Sequence, residues 1–258
     1  SPDAARLGGL ERAALATASG VIAPSQFGAA VLARRYGVSA AVARPGVTPA
    51  EQARGSRPAH LTCVAALLPG KGQLILLEAL ARLTNLPWTA SLVGSDRADR
   101  SYARAVRNAV SIVPLRSRVR VTGELDGDDL QREWLAADLS VLPSESETFG
   151  LAVADSLAHG VPALVSAGTG AEEALMLSLA GGAGLAGLAA ELRDVDRLET
   201  VLRSWLTDRE LRAAWSSAAR AARPRLPGWG ATAEAVLSAL SRGPVPQLPF
   251  PLRTRSGS

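Results

Sequence analysis

Short apolar runs without polar alternation recur along this chain, and a stretch of helical period follows all but the last of them. The runs at residues 21–23, 61–65, 89–93, 118–122, 139–142 and 163–166 read as strands buried on both faces. Helical periods occupy residues 26–36, 73–83, 102–113, 128–136 and 151–158, with Gly37 and Gly160 placed to end the first and last. Such alternation requires crossover connections, and those build a parallel sheet with helices packed on its faces. The expectation is therefore an α/β fold, a doubly wound Rossmann-like parallel sheet flanked by helices, over residues 57–188. No strand is expected after Gly187, where C-terminal helices take over. Val195, Leu198, Leu202 and Trp205 line one helical face, Thr207 with Glu210 reads as a capping box for the next helix, and residues 231–240 form a third.

Residues 44–58 carry three prolines and two glycines with little periodicity, the composition of a linker between domains. Upstream there is one helix, one strand and one more helix. A single strand leaves both edges unpaired, so this piece cannot bury its own faces. The expected division is residues 1–45 as the end of a domain that is otherwise absent, 46–58 as a linker, 59–240 as the main domain, and 241–258 as a flexible tail rich in Pro, Arg and Ser.

Composition removes several classes of function. With 47% hydrophobic and 20% charged residues the chain can bury a large core. Cys63 is the single cysteine and lies in an apolar run, which excludes a disulfide framework and points to a reducing, cytoplasmic setting. His60 and His159 are too isolated to ligate a metal, so none is expected. The sequence pI is about 10.1, yet the net charge is only +4 and the arginines are interleaved with acids. No nucleic-acid partner is expected.

Among 28 basic residues Lys71 is the one lysine. It stands in Pro69-Gly70-Lys71-Gly72, between an apolar strand-like run and an apolar helix-like run. A lone loop lysine is ordinarily a solvated side chain. A compact ammonium between glycines at a helix start also suits a phosphate, which the helix amides would share, and the context favours that reading.

The second informative stretch runs from residue 143 to 162. A strand ends at Leu142, an acidic loop with Glu145 and Glu147 follows, and Gly150 opens a helix that carries Asp155. Carboxylates at the C-terminal ends of parallel strands lie where open α/β sheets bind ligands, and each oxygen can accept a hydroxyl hydrogen bond. A solvated acidic loop is the bland alternative.

Taken together these residues resemble the donor-site signature of retaining glycosyltransferases of the GT-B fold, glycosyltransferase family four. The family pattern is a glutamate, seven residues and a second glutamate; here it reads Glu147 to Asp155, followed by Gly160-Val161-Pro162. Val21-Ile22-Ala23-Pro24-Ser25, Tyr36-Gly37 and Pro45-Gly46-Val47 are similar to the family's interdomain landmarks. Pro69-Gly70-Lys71-Gly72 is similar to its phosphate loop, Leu92-Val93-Gly94 and Val121-Thr122-Gly123 to later strand ends, and residues 181–188 to its late glycine-rich turn. The resemblance covers residues 11–240.

The resemblance implies the donor-binding half of a hexosyl-type transferase that takes a nucleotide sugar and passes the sugar, with retention, to an acceptor it does not name. Lys71 and Glu147 would be catalytic, Lys71 on the diphosphate and Glu147 on the transferred sugar's hydroxyls. Gly70, Gly72, Gly94, Gly123, Phe149, Gly150 and Leu151 would line the donor site, and Asp155 would hold the ribose. No cofactor or metal is implied, and any membrane association would run through the missing domain. The chain alone is expected to be inactive. One departure stands out: the family's arginine five positions before the lysine is Ala66 here. Losing a charge-assisted phosphate contact costs about 1.5–3 kcal/mol. Two alternatives share the pattern, a catalytically impaired nucleotide-sugar-binding relative and another enzyme on a similar sheet, such as a sugar-nucleotide epimerase or a nicotinamide dehydrogenase. The dehydrogenase would need a Gly-x-Gly-x-x-Gly after its first strand, which is absent.

Overall fold

A computed structural model describes residues 2–241, with side chains from Arg6 onward. The main sheet consists of β3 (Ala59–Val64), β4 (Trp88–Val93), β5 (Val119–Gly123), β6 (Leu139–Leu142), β7 (Ala163–Ser166) and β8 (Gly187–Ala190). Its order is β5-β4-β3-β6-β7-β8 with every pair parallel, so the strand order reverses between β3 and β6. The doubly wound expectation holds. All four residues of β6 and of β7 are buried, which explains why these runs lack polar alternation.

Helices α3 (Gln73–Ala81), α4 (Arg100–Ser111), α5 (Gly127–Ala136), α6 (Leu151–Ala158) and α7 (Gly170–Met176) connect the strands, and α8 (Val195–Thr207), α9 (Arg209–Ala222) and α10 (Trp229–Ser241) follow. Leu198, Leu202 and Trp205 of α8 join Leu76, Leu77 and Leu80 of α3 in the largest core cluster. That packing folds the C-terminal helices back on the sheet. Ahead of it lie α1 (Pro2–Thr17), β1 (Ile22–Ala23), α2 (Gln26–Tyr36) and β2 (Ala41–Val42).

Four expectations need correction. The strand at 21–23 is not an orphan: β1 pairs in parallel with β2 in a separate two-stranded sheet. Only two residues of β2 extend, too few to show a period. Strands do not stop at Gly187, because β8, Gly187–Ala190, completes the main sheet. Its Gly-Leu-Ala-Ala has no β-branched residue to announce it, and Gly187 is required: a Cβ there would lie 1.8 Å from Ala163 O. Helix α7 was not anticipated, since its seven residues span barely two turns. The cap of α9 is Asp208, whose carboxylate accepts from the Glu210 and Leu211 amides, while the Thr207 hydroxyl bonds back to Arg203 O. Residues 43–56 form no helix or strand and run along the main sheet's body, with Ala53 N on His159 O and Val47 N on Pro227 O. The tail expected at 241–258 lies, beyond Ser241, outside the described residues.

Candidate functional site

The site forms at the C-terminal ends of β3 and β6, where the strand order reverses. After β3, a single 3-10 turn, Pro69–Lys71, leads into α3 through Gly72 in the left-handed region, φ 72°. Its missing Cβ matters as well, for that atom would lie 2.3 Å from Pro143 O. The lysine loop and the loop after β6 are therefore in backbone contact.

Backbone bonds hold the acidic loop from both sides. Glu145 N donates to Gly70 O at 2.7 Å, and Gly170 N donates to Glu147 O at 2.7 Å. A Cβ on Gly170 would come within 2.3 Å of Thr148 O, so only glycine admits this approach. The buried Ser25 hydroxyl donates to Thr148 O, which ties the N-terminal segment to the same loop.

Between the two loops, Lys71 Nζ meets Glu147 Oε1 at 2.6 Å, with the side chains 26% and 14% exposed. Residues 76 positions apart are thus brought into one partly dehydrated contact. Gly150, φ 88°, starts α6 without any side-chain cap. The first amides of that helix lack intrahelical acceptors and are available to an anion. Lys71, Glu147, Phe149, Gly150 and Leu151 line a cavity of about 270 Å³ whose far wall is Pro24 and Pro45. Ala66 also lines it, presenting a methyl group.

Asp155 stands outside that cavity, on an exposed part of α6. Its carboxylate has no hydrogen bond or ion pair among the described residues. Protein atoms still crowd part of its hydration shell, and that desolvation pushes its pKa above the ordinary aspartate value. Gly94 and Gly123 sit at the ends of β4 and β5, are not themselves among the lining residues, and bond to each other through Gly94 N and Gly123 O at 2.8 Å. A Cβ at Gly94 would lie 2.0 Å from O of the lining residue Ala65, so only glycine fits behind that wall. Cys63 lies buried near Lys71 and Glu147; burial pushes its thiol up to about 12 against the pull of Lys71, which leaves it an inert packing group.

Four buried side-chain polar atoms lack a partner among the described residues, and three of them flank this site: Gln73 Oε1, Ser144 Oγ and Ser166 Oγ. Gln73 and Ser144 come after β3 and β6, and Ser166 ends β7, all at the same edge of the sheet. Each keeps hydrogen-bonding capacity that no described residue uses.

Two contributors carry no sequence signal. Arg193, after β8, donates to Pro69 O at 3.4 Å and faces Glu145 at 3.9 Å, bringing a second cation against the back of the lysine loop. Glu173, in α7, accepts from Gln26 N at 2.8 Å and Phe27 N at 3.3 Å and pairs with Arg44. It thereby caps α2 from another element. Both depend on loops that are neighbours only in three dimensions.

Comparison with known proteins gives a consistent picture. Residues 48–222 match the family model described as "Glycosyl transferases group 1". The D-inositol 3-phosphate glycosyltransferase of Kineococcus radiotolerans is 30% identical over 232 residues, 86% of this chain and 51% of that protein. Among solved structures, sucrose-phosphate synthase from Thermosynechococcus elongatus superposes with a TM-score of 0.76 at 25% identity, covering 91% of this chain and 60% of that one. Anabaena HepE, solved in complex with UDP and glucose, gives a TM-score of 0.74 at 22% identity over 88% of this chain and 64% of its own. This chain thus spans about half the length of the inositol-phosphate transferase and under two thirds of each of these two structures.

Proposed function

The chain belongs to the group 1 glycosyl transferases, and on that premise we propose that it binds a nucleoside diphosphate sugar between the lysine loop and α6. The sugar then passes to an acceptor with retention of configuration. The carrying observation is the Lys71–Glu147 contact at 2.6 Å beside an uncapped helix start. A cation, free amides and a carboxylate in one partly dehydrated cavity match the three parts of such a donor: diphosphate, phosphate oxygens and sugar hydroxyls.

In this reading donor binding exchanges one contact for two. Lys71 leaves Glu147 for the diphosphate, and Glu147 becomes free to accept a hydroxyl of the transferred sugar. As the sugar–phosphate bond breaks, negative charge accumulates on the leaving nucleoside diphosphate. A preplaced ammonium and helix amides stabilise that charge without reorganisation. Asp155, unpartnered and two turns along α6, accepts the ribose hydroxyls. HepE, solved with UDP and glucose, supports a nucleotide sugar as the ligand class.

Lys71 meets the charge requirement, so the reading calls for no metal; EDTA is expected to leave nucleotide affinity unchanged. Residues 1–45 belong, in the same proposal, with an acceptor-binding domain, and the reaction takes place in the cytoplasm. Among the described residues, no helix is long and apolar enough to cross a membrane. Calorimetric titration with UDP, GDP and ADP, alone and as sugar conjugates, tests the proposal. At least one nucleoside diphosphate should bind, and Lys71→Ala should weaken it by about one to two decades. A chain that binds none of them, or binds equally well without Lys71, overturns it.

A further inference from the structure

The fourth unpartnered buried polar atom, Trp205 Nε1, lies far from the other three. Trp205 is near the end of α8 and forms part of the wall of a groove of about 540 Å³. The groove opens at the N-terminal ends of β3 and β6, where Arg57 and Asp138 precede those strands. A six-residue strand rises about 20 Å, so this groove and the Lys71 cavity lie at opposite edges of the sheet.

The groove holds an excess of donors. Arg212, Ser216 and Arg220 follow one another at four-residue spacing along one face of α9, and Arg57 faces them from the turn before β3. Arg57, Arg220 and the Ser216 hydroxyl have no hydrogen-bond or ion-pair partner among the described residues. Arg212 is held in place: its Nη1 donates to Trp205 O at 3.0 Å and to Leu206 O, and its guanidinium stacks 5.8 Å from the Trp205 ring. Among the described residues that line the groove, Asp138 is the one carboxylate. Its Oδ2 already accepts from Ser56 N at 3.0 Å and His60 N at 2.9 Å, which fixes the turn that carries Arg57. Three guanidiniums and two serine hydroxyls, those of Ser216 and Ser217, therefore face a single carboxylate already bonded to the backbone.

We propose that this groove is a second binding site, for a small phosphate-bearing polyanion, separate from the site of Lys71. Guanidinium forks present paired donors that match phosphate oxygens, and the groove's volume falls in the range of small-ligand sites. The concave shape, with Arg212 prepositioned by backbone carbonyls, favours a compact soluble anion over a flat membrane surface.

Two-dimensional NMR of the full chain, following the Trp205 indole N–H while inorganic tripolyphosphate is added, reads the site directly. The stacked Arg212 makes that resonance sensitive to an anion in the groove. It should move saturably, with an affinity at least tenfold weaker in the Arg57→Gln/Arg220→Gln double variant and unchanged in Lys71→Ala. The other four indole resonances of the double variant should keep their positions, which shows that its fold is intact. An unmoved Trp205 resonance, an unaltered affinity in the double variant, or loss of the response in Lys71→Ala would each overturn the proposal. Sedimentation with phosphatidylglycerol vesicles supplies the remaining arm. Vesicle binding that needs Arg57 and Arg220, with no response to tripolyphosphate, would assign the groove to a membrane and overturn the soluble-ligand reading.

Discussion

Charged groups near the starts of β3, β4 and β5 are arranged differently from those at the opposite edge of the sheet. Glu133, reaching in from α5, is almost fully buried yet completely bonded: His60 Nε2 at 2.8 Å, Thr62 Oγ1 at 3.3 Å and Arg120 Nη2 at 2.6 Å. The other His60 nitrogen meets Thr89 at 2.8 Å. Burial alone would raise the Glu133 carboxyl, but hydrogen bonds from His60 and Ser91 and the charge of Arg120 hold it below the usual glutamate range. At the C-terminal edge, among the described residues, the Lys71 and Glu147 side chains have only each other, the Asp155 carboxylate has no partner, and three buried polar atoms accept or donate no hydrogen bond. The Glu133 network spends its polar groups on the fold, whereas the Lys71–Glu147 site leaves its own with few partners.

That contrast is broken most directly at Glu133. Glu133→Ala should cost about 3 kcal/mol in urea unfolding, because removing one member of a buried network strands the rest. Nucleoside diphosphate affinity should be unchanged; a variant that loses binding while keeping its stability would reverse the contrast. Lys71→Ala should show the opposite split. Affinity falls by about 1.5–3 kcal/mol, the scale of a charge-assisted bond, while stability changes by about 1 kcal/mol or less, as for a partly exposed ion pair.

Smaller effects sharpen the division within the C-terminal edge. Asp155→Asn should weaken bare nucleoside diphosphate about tenfold, the value of one hydrogen bond to a charged group, and should raise the melting temperature slightly, since it removes a desolvated, unpartnered carboxylate. Glu147→Gln should spare the bare nucleotide and weaken only the sugar conjugate. Equal losses of bare-nucleotide binding in both variants would show that the two carboxylates do not divide the work as proposed. The smallest effect is expected from His159, stacked on Trp134 with ring centroids 5.7 Å apart. Burial lowers its pKa below the ordinary 6.5. The unfolded chain therefore binds the proton more readily, and the fold's stability, full above pH about 6.5, declines as pH falls below it. Thermal melts at pH 8 and pH 5.5 should show that decline, and His159→Gln should flatten it.

Much of this architecture could be read along the chain. Helices α2 and α6 and strands β6 and β7 fall at the expected residues, because continuous apolar runs and terminal glycines are local signals. Other strand and helix boundaries move by one or two residues, the usual fraying of element ends. β2, β8 and α7 escaped notice because two, four and seven residues carry too little pattern. In the site, the glycines beside Lys71 and the step from Glu147 to Gly150 were visible in order along the chain. Arg193, Glu173 and Gly170 were not, since each acts on a loop distant in sequence, and the landmark Ser25 gave no sign of its bond to Thr148 O.

By itself the sequence determined the fold class, the placement of a lone lysine and an acidic loop after buried strands, and the likeness to a family of transferases. Those are properties of short windows, where periodicity and residue type act over neighbouring positions. Only the tertiary structure decided that Lys71 and Glu147 meet, that Ala66 leaves a methyl on the cavity wall while Arg193 stands behind the loop, and that Arg57 joins Arg212 and Arg220 in one groove. These are contacts between distant segments. The path of the chain through the parallel sheet sets them, and no local pattern encodes which strand ends that path brings together.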